Sequence, residues 1–192
     1  MEARSTERQP RPRWTYAEFA RLPEAGSSRY EIIADELVMT PAPGTRHQRI
    51  SVELSYALHG HVRTHGLGQV FHAPLDVLFA DGDFFEPDLV FIGSDRLELL
   101  SDRGMEGAPD LVVEILSPST AARDRGIKLE RYRLYGVAEY WIVDPQAERV
   151  EVWRLGAGAE TPETCGRDGR FTWQPSADAP TLAIDLADLF RQ

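Results

Sequence analysis

Cysteine is nearly absent from this chain of 192 residues, because Cys165 is the only one. A single cysteine excludes an intramolecular disulfide and a cysteine-based zinc site. Residues 1–13 lack the apolar stretch of a signal peptide, and no apolar run approaches the ~20 residues that a membrane-spanning helix needs. We therefore expect a protein of a reducing cytoplasm without a membrane segment.

An excess of positive charge is also missing. The 21 Lys and Arg residues stand against 31 Asp and Glu residues, which gives a formal net charge of −10. This balance argues against bulk electrostatic binding to nucleic acid, but it allows a local basic groove or a phosphate contact bridged by a metal. The length and the apolar content of 42% are typical of one domain with a sizeable core.

Hydrophobic spacing predicts alternating strands and helices after a disordered, Arg- and Pro-rich tail at residues 1–13. The predicted elements are a short helix at 14–22, a hairpin at 30–39, a helix at about 45–65 with Thr45 as its N-cap, strands at 69–79, 84–92 and 110–116, a helix at about 121–135 closed by Gly136, strands at 139–143, 150–155 and 171–173, and an apolar segment at 182–190 that ends in a short helix. Residues 93–109 are predicted to be a loop or a frayed helix, and residues 157–169 a loop. This order predicts an α/β fold with a mixed sheet flanked by helices, divided into a domain at 14–156 and a C-terminal extension at 157–192 that packs on it.

Two acidic residues stand beside predicted buried strands. Asp88 precedes the apolar run Leu89–Ile92, and Glu114 lies inside the apolar run that begins at Leu111. Burying an unpaired carboxylate costs several kcal/mol, so a carboxylate at such a position needs a proton, a cation or a metal. If the two strands are neighbours, about 4.8 Å apart, both carboxylates can share one divalent ion. The alternative is that Asp88 is an ordinary aspartate at a strand edge.

Lys128 is predicted to complete this group from the following helix. It shares a helical face with Tyr132 and Tyr135, which follow it at i+4 and i+7 and are expected to pack on the sheet. The ammonium group should therefore point toward the sheet. The alternative is a surface ion pair with Asp124 at i−4, which would stabilise the helix by only ~0.2–0.5 kcal/mol.

These residues resemble a known nuclease pattern. Pro87-Asp88, Glu114-Ile-Leu116 and Lys128 look like the signature of the PD-(D/E)XK superfamily, and longer segments resemble the Uma2 family (the DUF820 group) of restriction-endonuclease-like proteins. Those segments are residues 29–38, 41–43, 46–50, 73–77, 86–89, 107–120, 123–128 and 135–145. In the superfamily the signature lysine lies two positions after the acidic residue, where this chain has Leu116. The resemblance therefore assigns the lysine role to Lys128 on the following helix.

The resemblance implies a restriction-endonuclease-like mixed sheet flanked by helices, and a metal-dependent endonuclease that hydrolyses DNA. Asp88, Glu114 and the backbone carbonyl of Ile115 would hold Mg²⁺ or Mn²⁺, because hard cations prefer oxygen ligands. Lys128 would orient the attacking water or stabilise charge on the phosphate. Glu31, on the first hairpin, would add a ligand or position a water; the alternative is that it faces outward from its strand.

Four further residues are candidates for substrate binding. His47, in the first turn of its predicted helix, would act as a neutral base or phosphate contact, unless it is a structural histidine. Asp76 alternates with apolar neighbours and is a candidate for the same cleft. Arg123 and Arg125 belong to segment 123–133, where five basic residues stand against two acidic ones. That segment is either an edge that follows DNA phosphates or a solvated helix face.

Two other classes of function compete with the enzyme. One is a catalytically silent nuclease-fold module that binds nucleic acid or protein, since a fold does not determine a function. The other is a structural homodimer that forms through an exposed sheet edge or the apolar C-terminal segment. The complete set of Asp88, Glu114 and Lys128 favours the endonuclease.

Overall fold

The computed structural model describes Trp14, Glu18, Arg21 and residues 29–79 and 82–191. The predicted N-terminal tail lies outside the described residues, and so does most of the short helix predicted after it. Within the described part of the chain, two six-stranded sheets, one two-stranded sheet and a few helices make up an α/β fold. The predicted fold class is therefore confirmed.

The elements are numbered in chain order. The strands are β1 (Arg29–Ile33), β2 (Glu36–Thr40), β3 (Gly68–His72), β4 (Val77–Leu78), β5 (Phe84–Phe85), β6 (Leu89–Gly93), β7 (Leu100–Ser101), β8 (Gly104–Glu106), β9 (Leu111–Ile115), β10 (Glu139–Asp144), β11 (Arg149–Trp153), β12 (Glu163–Gly166), β13 (Arg170–Trp173) and β14 (Leu182–Asp185). The helices are α1 (Thr45–His65), α2, which joins α-helical Ala121–Arg123, a π-helical turn Asp124–Lys128 and α-helical Leu129–Tyr135, and α3 (Leu186–Leu189).

The central sheet has the strand order β12-β11-β10-β9-β6-β3. Strand β9 lies inside it, parallel to β10 and antiparallel to β6, and all five of its residues are buried. A strand buried on both faces accounts for the nearly continuous apolar run that the sequence shows there. The pairing of β6 with β9 confirms that the apolar runs beside Asp88 and Glu114 are neighbours.

The second six-stranded sheet has the order β2-β1-β5-β4-β8-β7, and it corrects two predictions. The strands predicted at 69–79 and 84–92 are each divided between the two sheets. The first breaks at the cis Ala73–Pro74 peptide, between β3 and β4, and the second breaks around Pro87, between β5 and β6. Proline has no N–H to donate to a strand ladder, so both breaks occur where pairing would be lost. Asp88 therefore lies where the chain passes from one sheet to the other.

Three smaller predictions were also wrong. Residues 93–109 contain a 3₁₀ turn and the β7–β8 hairpin, and residues 157–169 contain β12. Strand β8 pairs with β4, and strand β12 pairs with β11. Both strands are defined by pairing with another segment, which their own local sequence does not reveal. Thr45 is the first residue of α1 rather than its N-cap, a position that Gly44 occupies. By contrast, Gly136 ends α2 as predicted, with a φ of 84° that favours glycine.

Helices cover the two faces of the central sheet. Helix α1 buries a stripe of Ile50, Leu54, Leu58 and Val62 in one core together with Leu111, Val113 and Ile115 of β9. The opposite core holds Val112 of β9 with Leu129 and Tyr132 of α2. Because side chains alternate along a strand, Glu114 follows Val112 onto the α2 side.

The C-terminal segment contributes to the α1-side core through Phe171, Trp173, Leu186 and Phe190. The division into a tail, a domain and an extension stays a prediction. None of the described helices is long and apolar enough to cross a membrane.

Candidate active site

A cavity of ≈ 260 Å³ opens where the two six-stranded sheets meet the first turns of α1 and α2. Seven of the nine predicted site residues line it, which brings together side chains far apart in sequence. They are Glu31, His47, Asp88, Glu114, Ile115, Arg123 and Lys128.

Lys128 lies in the middle of this group, with only 3% of its surface exposed. Its Nζ is 2.7 Å from Glu31 Oε1 and 2.8 Å from Glu114 Oε1. The ammonium group therefore points toward the sheet, as the helical spacing predicted. The contact with Asp124 also exists, at 3.9 Å, but Asp124 is itself buried and lines the same cavity. The helix-surface alternative is thus wrong.

The π-helical turn of α2 carries both Asp124 and Lys128. Single π turns inside α-helices are rare and occur frequently at functional sites. This turn begins at Asp124 and ends at Lys128, and both residues are buried. Asp124 Oδ1 has no hydrogen-bond partner among the described residues. A buried acceptor without a partner is costly, so this oxygen is suited to receive a cation or a water.

Asp88 is held by donors from three different elements. Its Oδ2 accepts a hydrogen bond from the Ile115 backbone N–H at 2.8 Å and lies 3.1 Å from His47 Nε2, while Arg29 Nη1 donates to Oδ1 at 3.3 Å. Burial alone would raise the pKa of Asp88, but the hydrogen bond from His47 and the other donors outweigh it and hold this pKa below its usual range. Asp88 is therefore ionised.

The pKa of Glu114 is raised, in contrast to that of Asp88. This holds although Glu114 Oε1 accepts hydrogen bonds from Lys128 Nζ at 2.8 Å and Tyr132 Oη at 2.9 Å. Burial raises the pKa of Glu114 to about 8; the Lys128 charge lowers this pKa, and the charges of Asp124, Asp88 and Glu31 raise it. Burial and the Glu114 charge also raise the pKa of Tyr132 well above its usual range, so Tyr132 remains a neutral donor.

The cavity holds more acids than cations. Five carboxyl groups line it, against the permanent positive charges of Arg29, Arg123 and Lys128. The acids are Glu31, Glu86, Asp88, Glu114 and Asp124. Burial, followed by the charge of Asp76, raises the pKa of Glu86 to about 7, and burial also raises the pKa of Asp124. The cavity therefore retains protons that a bound cation would displace.

A hard divalent cation fits this cavity by charge and by donor type, because five carboxyl groups supply oxygen atoms to its walls. The ligands are not collected in advance, however. Among the described residues, no three His, Cys, Asp or Glu side chains are arranged as a group that could hold a metal. The predicted set requires only two side chains, Asp88 and Glu114, together with the backbone of Ile115.

Comparison with known proteins identifies the family. The model of the Uma2 family, described as "Putative restriction endonuclease", matches residues 16–187. The chain belongs to the Uma2 family. The uncharacterized protein sll1609 of Synechocystis sp. is 25% identical over 139 residues, which are 71% of this chain and 78% of that protein. The crystal structure of "a putative nuclease belonging to DUF820" from Anabaena variabilis has a TM-score of 0.76 and 23% identity, and the match covers 92% of this chain and 97% of that one. The predicted family and fold are confirmed.

The departure of this Uma2 chain from the superfamily signature has a geometric basis. Residue 116 follows Glu114 by two positions and packs in the core on the α2 side. A lysine there would start from the same side of the sheet as Glu114. Helix α2 covers that side, so Lys128 brings its ammonium group to Glu114 from the helix instead.

Two predicted residues of the Uma2 chain do not line the cavity. Arg125 points away from it and forms ion pairs with Asp144 and Glu151, both at 2.8 Å. Asp76 precedes β4, and its charge raises the pKa of Glu86 in the cavity. Arg123 does line the cavity. It donates to Thr40 Oγ1 at 2.9 Å, and its buried Nε has no partner among the described residues.

Sequence reasoning assigned no role to four residues of the site. Arg29 and Glu86 lie inside segments that resemble the family; Glu86 is two positions from Asp88 in the sequence, whereas the contact of Arg29 with Asp88 became visible only in the fold. Tyr132 was recognised as facing the sheet, but its hydrogen bond to Glu114 was not. Asp124 was considered only as a surface partner of Lys128, since no sequence pattern reveals a π turn.

Proposed function

We propose that this cavity is the active site of a metal-dependent endonuclease that hydrolyses phosphodiester bonds in DNA. The observation that carries the proposal is the meeting of Asp88, Glu114, Glu31 and Lys128 in one cavity with an excess of acids. Membership of a family described as restriction-endonuclease-like supports nuclease chemistry. The metal and the DNA substrate go beyond that description.

Asp88, Glu114 and the carbonyl of Ile115 are the groups that would hold Mg²⁺ or Mn²⁺. When bound, such an ion lowers the pKa of a water molecule and neutralises charge on the scissile phosphate. Asp88 is prepared for this role because it is already ionised. Glu114 has to release a proton first, since burial raises its pKa to about 8.

Lys128 provides a fixed positive charge next to the reacting phosphate. Burial lowers its pKa, but the carboxylates of Glu114 and Glu31 outweigh burial and raise the pKa above its usual range. The ammonium group therefore stays protonated, and it stabilises the charge that develops on the phosphate or orients the attacking water. Glu31 holds Lys128 in position and also accepts the backbone N–H of Glu86 at 3.2 Å.

His47 and Arg123 have supporting roles at the rim. His47 contacts Asp88 through Nε2, which positions the proposed ligand, while its buried Nδ1 has no partner among the described residues. The unpartnered Nε of Arg123 is a donor that a phosphate oxygen can satisfy.

Plasmid cleavage with Mg²⁺ or Mn²⁺ tests the proposal. Asp88→Asn and Glu114→Gln should each reduce the rate by at least about 100-fold, since each removes a proposed ligand. Glu130→Gln, which changes an exposed acid on α2, is the matched control and should cleave like the wild type. Unchanged metal-dependent cleavage in both site variants would refute the assignment.

The second candidate is a catalytically silent nuclease-fold module. It is favoured by the lack, within the described residues, of three acidic, His or Cys side chains already arranged for a metal. Isothermal titration of the wild type with Mn²⁺ distinguishes the two candidates. Binding that Asp88→Asn abolishes supports the nuclease, whereas no binding at millimolar Mn²⁺ supports the silent module.

Location and assembly complete the proposal. A nuclease that acts on DNA would work in the cytoplasm. A homodimer stays a prediction, and light scattering after size-exclusion chromatography tests it.

A further inference from the structure

A second opening of ≈ 460 Å³ continues from the cavity along α1. It shares Arg29, His47 and Asp88 with the cavity, so the two spaces adjoin at the proposed scissile site. We call this opening the α1 groove. Side chains characteristic of its walls are Gln48, Ser51, Ser55, Tyr56, His59 and His72.

The register of α1 produces the groove. Residues 48, 52, 55 and 59 recur three or four positions apart, so they form one stripe along the helix. This stripe lies on a different side of α1 from the buried stripe that begins with Ile50 and Leu54. From residue 48 to residue 59 the helix rises about 16 Å at ~1.5 Å per residue. The groove is therefore an extended track rather than a small pocket.

An exposed aromatic ring stands on this track. Tyr56 is 81% exposed and Val52 is 64% exposed, and both line the groove. Core packing does not account for these two side chains, because both are exposed. Their position next to the proposed active site suits a ligand that offers flat apolar surfaces. Nucleic-acid bases are such surfaces, and stacking on an aromatic side chain tolerates any base. Gln48, Ser51 and Ser55 add hydrogen-bonding groups beside the ring.

The charges of the groove distinguish between kinds of nucleic acid. Asp88 is the only acid among the described residues that line the groove, and it lies at the end that adjoins the cavity. The basic side chains Arg125 and Arg131 of α2 are already in ion pairs, at 2.8 Å with Asp144 and 3.4 Å with Asp83. Duplex binding depends on many cations facing phosphates, whereas single-strand binding combines a few cations with stacking. The described residues that line the α1 groove include one arginine, Arg29, and the exposed ring of Tyr56, which is closer to the second composition.

We propose that the α1 groove binds a single-stranded segment of nucleic acid that leads into the cavity, with one base stacked on Tyr56. The inference rests on the proposed function, because the strand enters the site that would cut it. A track of about 16 Å matches about five stacked nucleotides at ~3.4 Å each.

Fluorescence anisotropy with labelled 12-nucleotide DNA and RNA single strands and the corresponding duplex tests the proposal. Ca²⁺ replaces Mg²⁺ in this assay to limit hydrolysis. Tyr56→Ala should weaken single-strand binding by about 5- to 100-fold, which corresponds to the loss of one stacked base. Tyr56→Phe keeps the ring and should bind within about twofold of the wild type. Leu134→Ala, which removes an exposed apolar side chain outside the groove, should bind like the wild type.

Hydrolysis of bis(p-nitrophenyl) phosphate with Mn²⁺ separates this inference from the proposed function. This small diester does not extend along α1, so its hydrolysis should be the same in Tyr56→Ala and the wild type. If the wild type fails to hydrolyse it, the proposed function fails, while the anisotropy result still decides the groove. The groove proposal is overturned if Tyr56→Ala binds single strands like the wild type, if the wild type prefers the duplex, or if the wild type binds neither DNA nor RNA single strands.

Discussion

Replacing Glu114 with glutamine is expected to stabilise the metal-free protein at alkaline pH, although it removes a proposed catalytic group. Burial raises the pKa of Glu114 from 4.5 to about 8. The folded protein therefore keeps a proton that the unfolded chain has already released between these two values. The stability from this group is fully present below pH 4.5 and is lost as the pH rises through 8.

The size of the effect follows from the width of this window. One pKa unit corresponds to ~1.36 kcal/mol, so the wild type should lose about 1.4 kcal/mol per pH unit relative to Glu114→Gln. Over the whole window the difference is at most about 5 kcal/mol. The glutamine keeps a carbonyl oxygen that can accept from Lys128 and Tyr132, so both hydrogen bonds at this position can persist.

Urea unfolding followed by circular dichroism, in EDTA at pH 5, 6, 7 and 8, measures this difference. The gain in unfolding free energy of Glu114→Gln over the wild type should increase with pH, and the exposed control Glu130→Gln should show no such trend. A constant difference, or one that moves in favour of the wild type as pH rises, would show that Glu114 is ionised in the folded protein. In that case Lys128 outweighs burial, and the excess of acids is not what prepares the cavity for a cation.

Three further predictions concern neighbouring side chains. Lys128→Met leaves buried carboxylates without their cation and should cost about 3–5 kcal/mol at pH 8 but less at pH 5, where protonation relieves the repulsion; equal losses in urea unfolding at both pH values would contradict this. Tyr132→Phe removes one donor to Glu114 and should lower the unfolding free energy by about 1–3 kcal/mol, and an unchanged urea midpoint would mean that this hydrogen bond contributes nothing. Arg123→Gln should raise the KM of DNA cleavage by about 10-fold or more. Arg125→Gln should leave this KM unchanged, because Asp144 and Glu151 already engage Arg125. Steady-state kinetics of both variants decide whether the residues that line the cavity or the overall charge of the helix control DNA binding.

The parts of the fold that the sequence predicted depend on local periodicity. The stripe of α1 repeats with the period of a helix, and the short, nearly continuous apolar run of β9 is typical of a strand buried on both faces, so both were placed correctly. The second sheet was missed because β4, β5 and β7 contain only two residues each. Elements this short have no period of their own, and long-range pairing alone defines them.

The residues of the site were likewise predictable only where a local sequence pattern pointed to them. Glu114 and Lys128 stood out because a carboxylate in an apolar strand and a lysine on a sheet-facing stripe each conflict with burial unless they meet. Asp124 gave no such signal, because its burial results from a π turn whose shifted hydrogen bonds leave no mark in residue type. The pairing of Arg125 was likewise hidden, since Asp144 and Glu151 come from strands beyond α2.

The ion pairs of Lys128 join three layers of the molecule, since Glu31 belongs to one sheet, Glu114 to the other and Lys128 to α2. Folding alone is therefore a reason for evolution to retain these three residues, even in a relative whose chemistry has been lost. Their presence in a homologous sequence is weak evidence for activity. Asp88 does not contact Lys128 and is held instead by Arg29, His47 and the Ile115 backbone. We expect homologues without activity to keep the Lys128 ion pairs and to differ at Asp88.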